Sequence, residues 1–183
     1  LGQVEQLPVH TTYERVTHSS LGPKGLAALS RGINHGTFST HVWVLDLVRY
    51  REIACWSSWR SNRAPYGDDN GPPTDGQSDA RDALLSARMV VECAGHLVVA
   101  CGPAGAMSIR LGSHTRRDDE HALSMLQLVG LASCDSIVVP SPAAGDGIFL
   151  VGKSADGNTH FEWLSAQVLR AHGSPDDSPK GLA

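Results

Sequence analysis

Four cysteines and nine histidines are the residues whose types could do chemistry in this chain. Cys55, Cys93, Cys101 and Cys134 are widely spaced and form no CxxC pair. An even count allows two disulfides. Without a secretory signal, the expectation is buried free thiols in a reducing, cytoplasmic compartment. His35 and His41 lie six residues apart, and His114 and His121 flank a charged turn. Neither pair has the four-residue helical spacing that turns two imidazoles toward one zinc ion, so no metal site is expected. Gly102-Pro103-Ala104-Gly105 and Gly145-Asp146-Gly147 read as turns, because no phosphate-loop pattern surrounds them.

Composition narrows the class. At 183 residues, with 41% hydrophobic and 19% charged content, the chain fits one soluble globular domain with tails. Net charge is −4, and Arg116-Arg117 runs straight into Asp118-Asp119-Glu120. A basic footprint for nucleic acid is absent, so no direct nucleic-acid binding is expected. No apolar run approaches the ~20 residues of a membrane span, and no membrane association is expected. The N-terminal Leu-Gly-Gln-Val-Glu-Gln lacks the basic and apolar regions of a signal peptide. The chain opens without an initiator Met, as a fragment or processed product would.

The elements that must position these residues follow from periodicity. Residues 1–23 read as an N-terminal arm, with a helical turn or two over Thr11–His18. Leu26, Leu29 and Ile33 recur at helical spacing, which predicts a helix from Lys24 to Asn34. Thr40–Leu47 and Tyr50–Trp56 read as a strand hairpin. Residues 57–79 are rich in Gly, Pro, Asp and Ser and read as a long flexible loop. Ala80–Val91 reads as a helix with Asp79 as N-cap, followed by a strand over His96–Cys101 and another over Met107–Leu111. A three-stranded meander over Met89–Ala94, His96–Cys101 and Met107–Leu111 is the alternative. Asp118-Asp119-Glu120 opens a further helix reaching about Val129. Ser136–Ser141 and Ile148–Val151 make a closing hairpin. Phe161, Leu164, Val168 and Ala171 then share one face of a last helix. Residues 173–183 read as a linker or tail.

This order resembles that of GAF domains, and so do three stretches. HVWVLDLVRYREIACW resembles the family's first hairpin. ECAGHLVVA resembles its helix-to-strand junction. LQLVGLASCDSIVVPSPAAGDGIFLVGKSADGN resembles its last hairpin. The resemblance covers about residues 24–172. It implies an α+β fold, a central antiparallel sheet with helices packed on one face and a small-molecule pocket on the other. It further implies a non-catalytic sensory domain that binds a ligand, dimerises, or both, and controls an output module in signal transduction or transcription regulation. The expected partners are a small-molecule ligand and a second copy in a homodimer.

On the first predicted strand, His41, Trp43, Leu45 and Leu47 share a face that mixes apolar bulk with hydrogen-bonding groups, as ligand sites do. The expected ligand contacts are His41, Trp43, Leu45, Cys101 and Lys153. Lys153 stands where cyclic-nucleotide members carry Asn-Lys, but Gly152 precedes it and no Asp-Glu pair follows, so a cyclic nucleotide is not implied. The free methionine-(R)-sulfoxide reductases, an enzymatic branch of the GAF fold, resemble this chain in having several cysteines. There a thiolate attacks the sulfoxide and a second thiol resolves the intermediate. Cys93, Cys101 and Cys134 fall in comparable regions, yet Cys134-Asp135-Ser136-Ile137 lacks the Glu of that branch. No catalytic residue is therefore assigned. A haem would take one axial histidine, with His96, His114 or His121 as candidates, and the cofactor stays open. His10-Thr-Thr and His18-Ser-Ser resemble the short motifs of 2H phosphoesterases, whose two imidazoles come from separate halves of a fold; here the strings are eight residues apart. An interaction or assembly module using the 57–79 loop and the N-terminal arm is the alternative to a sensor.

Overall fold

A computed structural model describes residues 15–34, 37–49, 51–61, 77–111, 123–141 and 146–172. The fold is mainly β, which overturns the α+β expectation. Three antiparallel sheets account for the architecture, and only two short helices occur among the described residues.

The first sheet is a meander of β1 (Arg15–Gly22), β2 (Gly25–Asn34), β3 (Thr37–Asp46) and β4 (Arg51–Ser61) in chain order. The second is a meander of β5 (Met89–Cys93), β6 (His96–Ala100), β7 (Ala106–Arg110) and β8 (Leu123–Met125). The third has the order β11-β10-β9, from β9 (Ser136–Val138), β10 (Gly147–Lys153) and β11 (Thr159–Ser165). Helix α1 (Gln77–Leu85) lies between the first two sheets in sequence, and α2 (Ala166–Ala171) follows β11.

The second sheet is the middle layer. One of its faces, through Val90, Leu97, Val99, Met107 and Ile109, meets Leu29, Val42, Val44 and Trp56 of the first sheet. Ala80, Ala83, Leu84 and Ala87 join this core from α1 and the residues after it; their helical spacing makes one apolar stripe. The opposite face, through Val91, Val98, Ala100 and Ala106, meets Ile137, Ile148, Leu150, Leu164 and Leu169 of the third sheet and α2. Burial on both faces explains why β6 reads His-Leu-Val-Val-Ala with every residue buried and no alternation.

Polar contacts stitch the layers. Ser20 Oγ donates to the Val90 carbonyl at 2.9 Å, the Val90 amide donates to His18 Nδ1 at 3.3 Å, and the Lys24 amide donates to Glu92 at 3.0 Å. Thus β1, an edge strand, satisfies backbone groups of the edge strand β5. Gly102 and Cys134 exchange two backbone hydrogen bonds, at 2.7 and 2.8 Å, and fasten the β6–β7 turn to the third sheet. An ideal Cβ on Gly152 would lie 1.8 Å from the Ser133 carbonyl oxygen, so only glycine allows that close approach.

Several predicted helices are strands. Residues 24–34 form the turn into β2 and β2 itself: Ala27 and Leu29 enter the core against the second sheet, while Leu26 and Ala28 pack on the opposite face. Apolar residues on both faces imitate helical spacing. Arg15–His18 belongs to β1 rather than a helical turn; residues 11–14 lie outside the described residues. The helix expected over 80–91 starts at Gln77 and stops at Leu85, so Asp79 sits inside it rather than capping it, and 89–93 is β5. The meander reading of 89–111 is the one observed. The helix expected over 118–129 is replaced in its described part by β8 and irregular chain; residues 118–122 lie outside the described residues. Phe161 and Leu164 belong to β11, where they point to opposite faces, and helix begins only at Ala166. The β3–β4 hairpin and the β9–β10 pairing match expectation. Of the expected 57–79 loop, 57–61 extends β4 and 77–79 begins α1; residues 62–76 lie outside the described residues.

Candidate functional site

The five expected ligand residues lie on three different surfaces. His41, Trp43 and Leu45 do share one face of β3, as alternation predicts. That face is the one turned away from the second sheet, where Trp43 and Leu45 pack with Ala28 and Cys55. The half-buried His41 ring stacks on Trp43 with centroids 5.6 Å apart, and Trp43 Nε1 donates to Ser30 Oγ at 2.8 Å. Cys101 is fully buried in the core between the first two sheets. Lys153 is exposed at the end of β10, with its Nζ donating to Thr159 Oγ1 at 3.0 Å. No single pocket is built from the five.

None of the four cysteines is in a disulfide. Burial pushes Cys101 up to about 12, with a contribution from Cys134, and pushes Cys134 up to about 11. Both are held as neutral thiols at pH 7, the form that does not act as a nucleophile. Their sulfurs lie near backbone carbonyls, of Val99 at 3.6 Å and Ser136 at 3.7 Å. Cys93 is half-buried, and burial raises it too, reinforced by Asp146. Among the described residues, no group of three His, Cys, Asp or Glu side chains is placed to hold a metal ion.

Two features outside the expected set stand out. The first is the outer face of the third sheet. Register pairs Val138 with Phe149 and Phe149 with Trp163 in one row, and Ser136 with Val151 and Val151 with Phe161 in the next. The alternate residues Ile148, Leu150 and Leu164 are buried on the inner face. Five apolar side chains therefore share the outer face, and Phe161 (61% exposed), Val138 (47%) and Trp163 (41%) are open to solvent. Phe149 and Trp163 touch at 4.7 Å between centroids, tilted by 58°. The Trp163 ring lies across Gly147, where an added Cβ would meet it at 2.6 Å. Two of the chain's three phenylalanines and one of its four tryptophans are on this face. A contiguous apolar patch of this kind is often where a protein meets a partner.

The second feature is a row of polar groups on the inner side, between the second and third sheets. Register sets Cys93, His96 and Arg110 abreast at the Ala94-Gly95 end of the second sheet. In the next row Ser108 Oγ and Ser124 Oγ are 3.2 Å apart, and Ser124 Oγ is 2.9 Å from Nε2 of His172, the residue that closes α2. His96 is 4% exposed, and its Nδ1 has no hydrogen-bond partner among the described residues. Burial pulls its basicity down, and the nearby His172 and Arg110 act in the same direction. Of these residues the sequence had singled out only Cys93 and His96. A serine facing inward at position 108 of an otherwise apolar strand was the remaining clue.

No family model matches the chain, and no curated protein matches it. Among the described residues no helix is long and apolar enough to cross a membrane.

Proposed function

We propose that this chain is a non-catalytic interaction module that pairs with a second copy of itself through the outer face of the third sheet. The observation that carries this reading is the two-row cluster of Val138, Phe149, Val151, Phe161 and Trp163 on one side of β9, β10 and β11. Aromatic residues supply the desolvated centres of protein interfaces, because each buries a large area with few rotatable bonds.

A second copy is the occupant that the charge pattern favours. The outer-face positions Ser136, Val138, Phe149, Val151, Lys153, Thr159, Phe161, Trp163 and Ser165 include no carboxylate and one cation. Lys153 stands at the end of β10, at the edge of the apolar cluster, so self-pairing buries no charge at the cluster's centre. A strongly basic or acidic partner would find no complementary charge here. The thiol-enzyme alternative draws no support from thiols that are buried and raised to about 12 and about 11. A small-molecule sensor built on the five expected residues draws none from their positions on three surfaces.

Sedimentation velocity across low-micromolar to sub-millimolar protein tests the reading. Self-association appears as a weight-average sedimentation coefficient rising with concentration toward that of a dimer. A single monomer boundary throughout the range overturns it.

A further inference from the structure

We propose that the polar row between the second and third sheets is a binding site for a small oxyanion, its carboxylate or phosphate oxygens received by His96, Arg110 and Ser108. The row holds donors and bases: an imidazole on β6, a guanidinium on β7, two hydroxyls on β7 and β8, and a second imidazole after α2. Arg110 pairs in register with His96, and Ser108 is its same-face neighbour two residues earlier, so the three side chains occupy adjacent positions on one face. Arg110 is exposed while His96 is buried, which places the row at the rim of the layer, open at the guanidinium. A guanidinium has five N–H donors, so serving an anion requires only one or two of them.

The buried His96 Nδ1 is the feature that calls for a ligand. A buried polar atom left without a partner costs on the order of a hydrogen bond or more. Protonation alone does not cure it, because burial first, and the neighbouring His172 and Arg110 after it, disfavour the charged form of His96. An anion answers both difficulties: it accepts from Nδ1–H and neutralises the cationic surroundings. The hydroxyl chain adapts to it. With His172 Nε2 donating to Ser124, and Ser124 donating to Ser108, the Ser108 hydroxyl proton is released to point at the anion. The other charged groups near this end are Asp146 and Arg170, which pair with each other at 2.8 Å, and Glu92, whose carboxylate accepts from the Lys24 amide in the layer toward β1. Cys93 stands beside His96 with its thiol held in the neutral form by burial.

The test is a titration of the full chain with inorganic phosphate, and separately with sodium acetate, at constant ionic strength made up with sodium chloride. The readouts are the His96 ring C–H resonances and their pH midpoint. The expected result is a saturable shift at His96, with its titration midpoint raised by about one pH unit or more, as an opposite charge at contact distance produces. Phosphate acting alone identifies a phosphate site, and acetate acting alone a carboxylate site; either outcome supports the proposal. Arg110→Gln, with native packing checked by near-UV circular dichroism, is expected to weaken the shift at least tenfold in anion concentration, and Ser108→Ala to weaken it less. The proposal is overturned by a His96 midpoint that neither anion moves, or by a shift that sodium chloride reproduces or Arg110→Gln leaves unchanged.

Discussion

Replacing Phe161 with Asp should dissolve the self-association. Phe161 is 61% exposed in the single chain, so of a side chain burying ~200 Å² about 120 Å² is open to a partner. At ~25 cal/mol per Å², its burial contributes about 3 kcal/mol per copy, or about 6 kcal/mol in a twofold dimer that uses the residue twice. Allowing for incomplete burial, about half of this remains, which is a ~100-fold rise in the dissociation constant. The wild-type interface itself is expected to be weak. Phe161, Trp163 and Val138 together offer about 300 Å² per copy, or ~15 kcal/mol gross for the pair, against an association cost of about 4–15 kcal/mol. The assay is sedimentation equilibrium of wild type, Phe161→Asp and a control, Val48→Asp. Val48 is 87% exposed in the turn between β3 and β4, far from the third sheet in the fold. Near-UV circular dichroism checks that each variant keeps native packing. The reasoning is refuted if Phe161→Asp associates as the wild type does, or if Val48→Asp weakens association equally.

The remaining predictions concern stability and thiol chemistry. The β5–β6 turn has Ala94 at φ 51° beside Gly95 at φ 81°, a mirror-image hairpin turn that disfavours a Cβ at the first position. Ala94→Asn should stabilise by about 0.5–1 kcal/mol and Ala94→Gly by somewhat less, since glycine also gains freedom in the unfolded chain; thermal melts rank them. His96 and His18 are both lowered from 6.5, chiefly by burial. Below pH 6.5 the unfolded chain therefore takes up protons that the native state refuses, and stability must fall as pH drops from about 7 through that value. Urea midpoints measured from pH 8 to pH 5 should decline, and less steeply in His96→Gln. With the fold intact, a thiol reagent at pH 7 should label Cys93 well before Cys101 and Cys134, while all four react in denaturant; equal native rates at Cys101 and Cys93 contradict the burial that raises Cys101 to about 12.

The hairpins were the legible part of the chain. In β3 the alternation of His41, Trp43 and Leu45 against Val42 and Val44 matches the two faces seen, because one strand separates two distinct environments. In β2 the same logic failed for a physical reason. Both faces are buried, so Leu26–Leu29 carries an apolar run without alternation, and spacing alone does not separate such a run from a helix. At β11 the alternation was present in Phe161-Glu162-Trp163-Leu164, but Val168 and Ala171 downstream suggested a helical face. The structure puts Phe161 and Trp163 outside and Leu164 inside, while Glu162 accepts from the Val129 and Gly130 amides at 3.1 and 3.0 Å. The aromatic face was hidden for that reason: as a helix, those residues divide differently between core and solvent. The polar row was hidden because Ser108, Ser124 and His172 are 64 residues apart at their extremes and meet only when β7, β8 and the end of α2 converge.

Dilution of the ¹⁵N-labelled chain, followed by amide spectra, most directly tests pairing through the third sheet. Val138, Phe149, Val151, Phe161 and the Trp163 indole N–H should shift together with concentration, while Ala28, Leu45 and Cys55 on the far face of the first sheet stay fixed. Spectra that do not change with concentration, or shifts centred on the first sheet, contradict it.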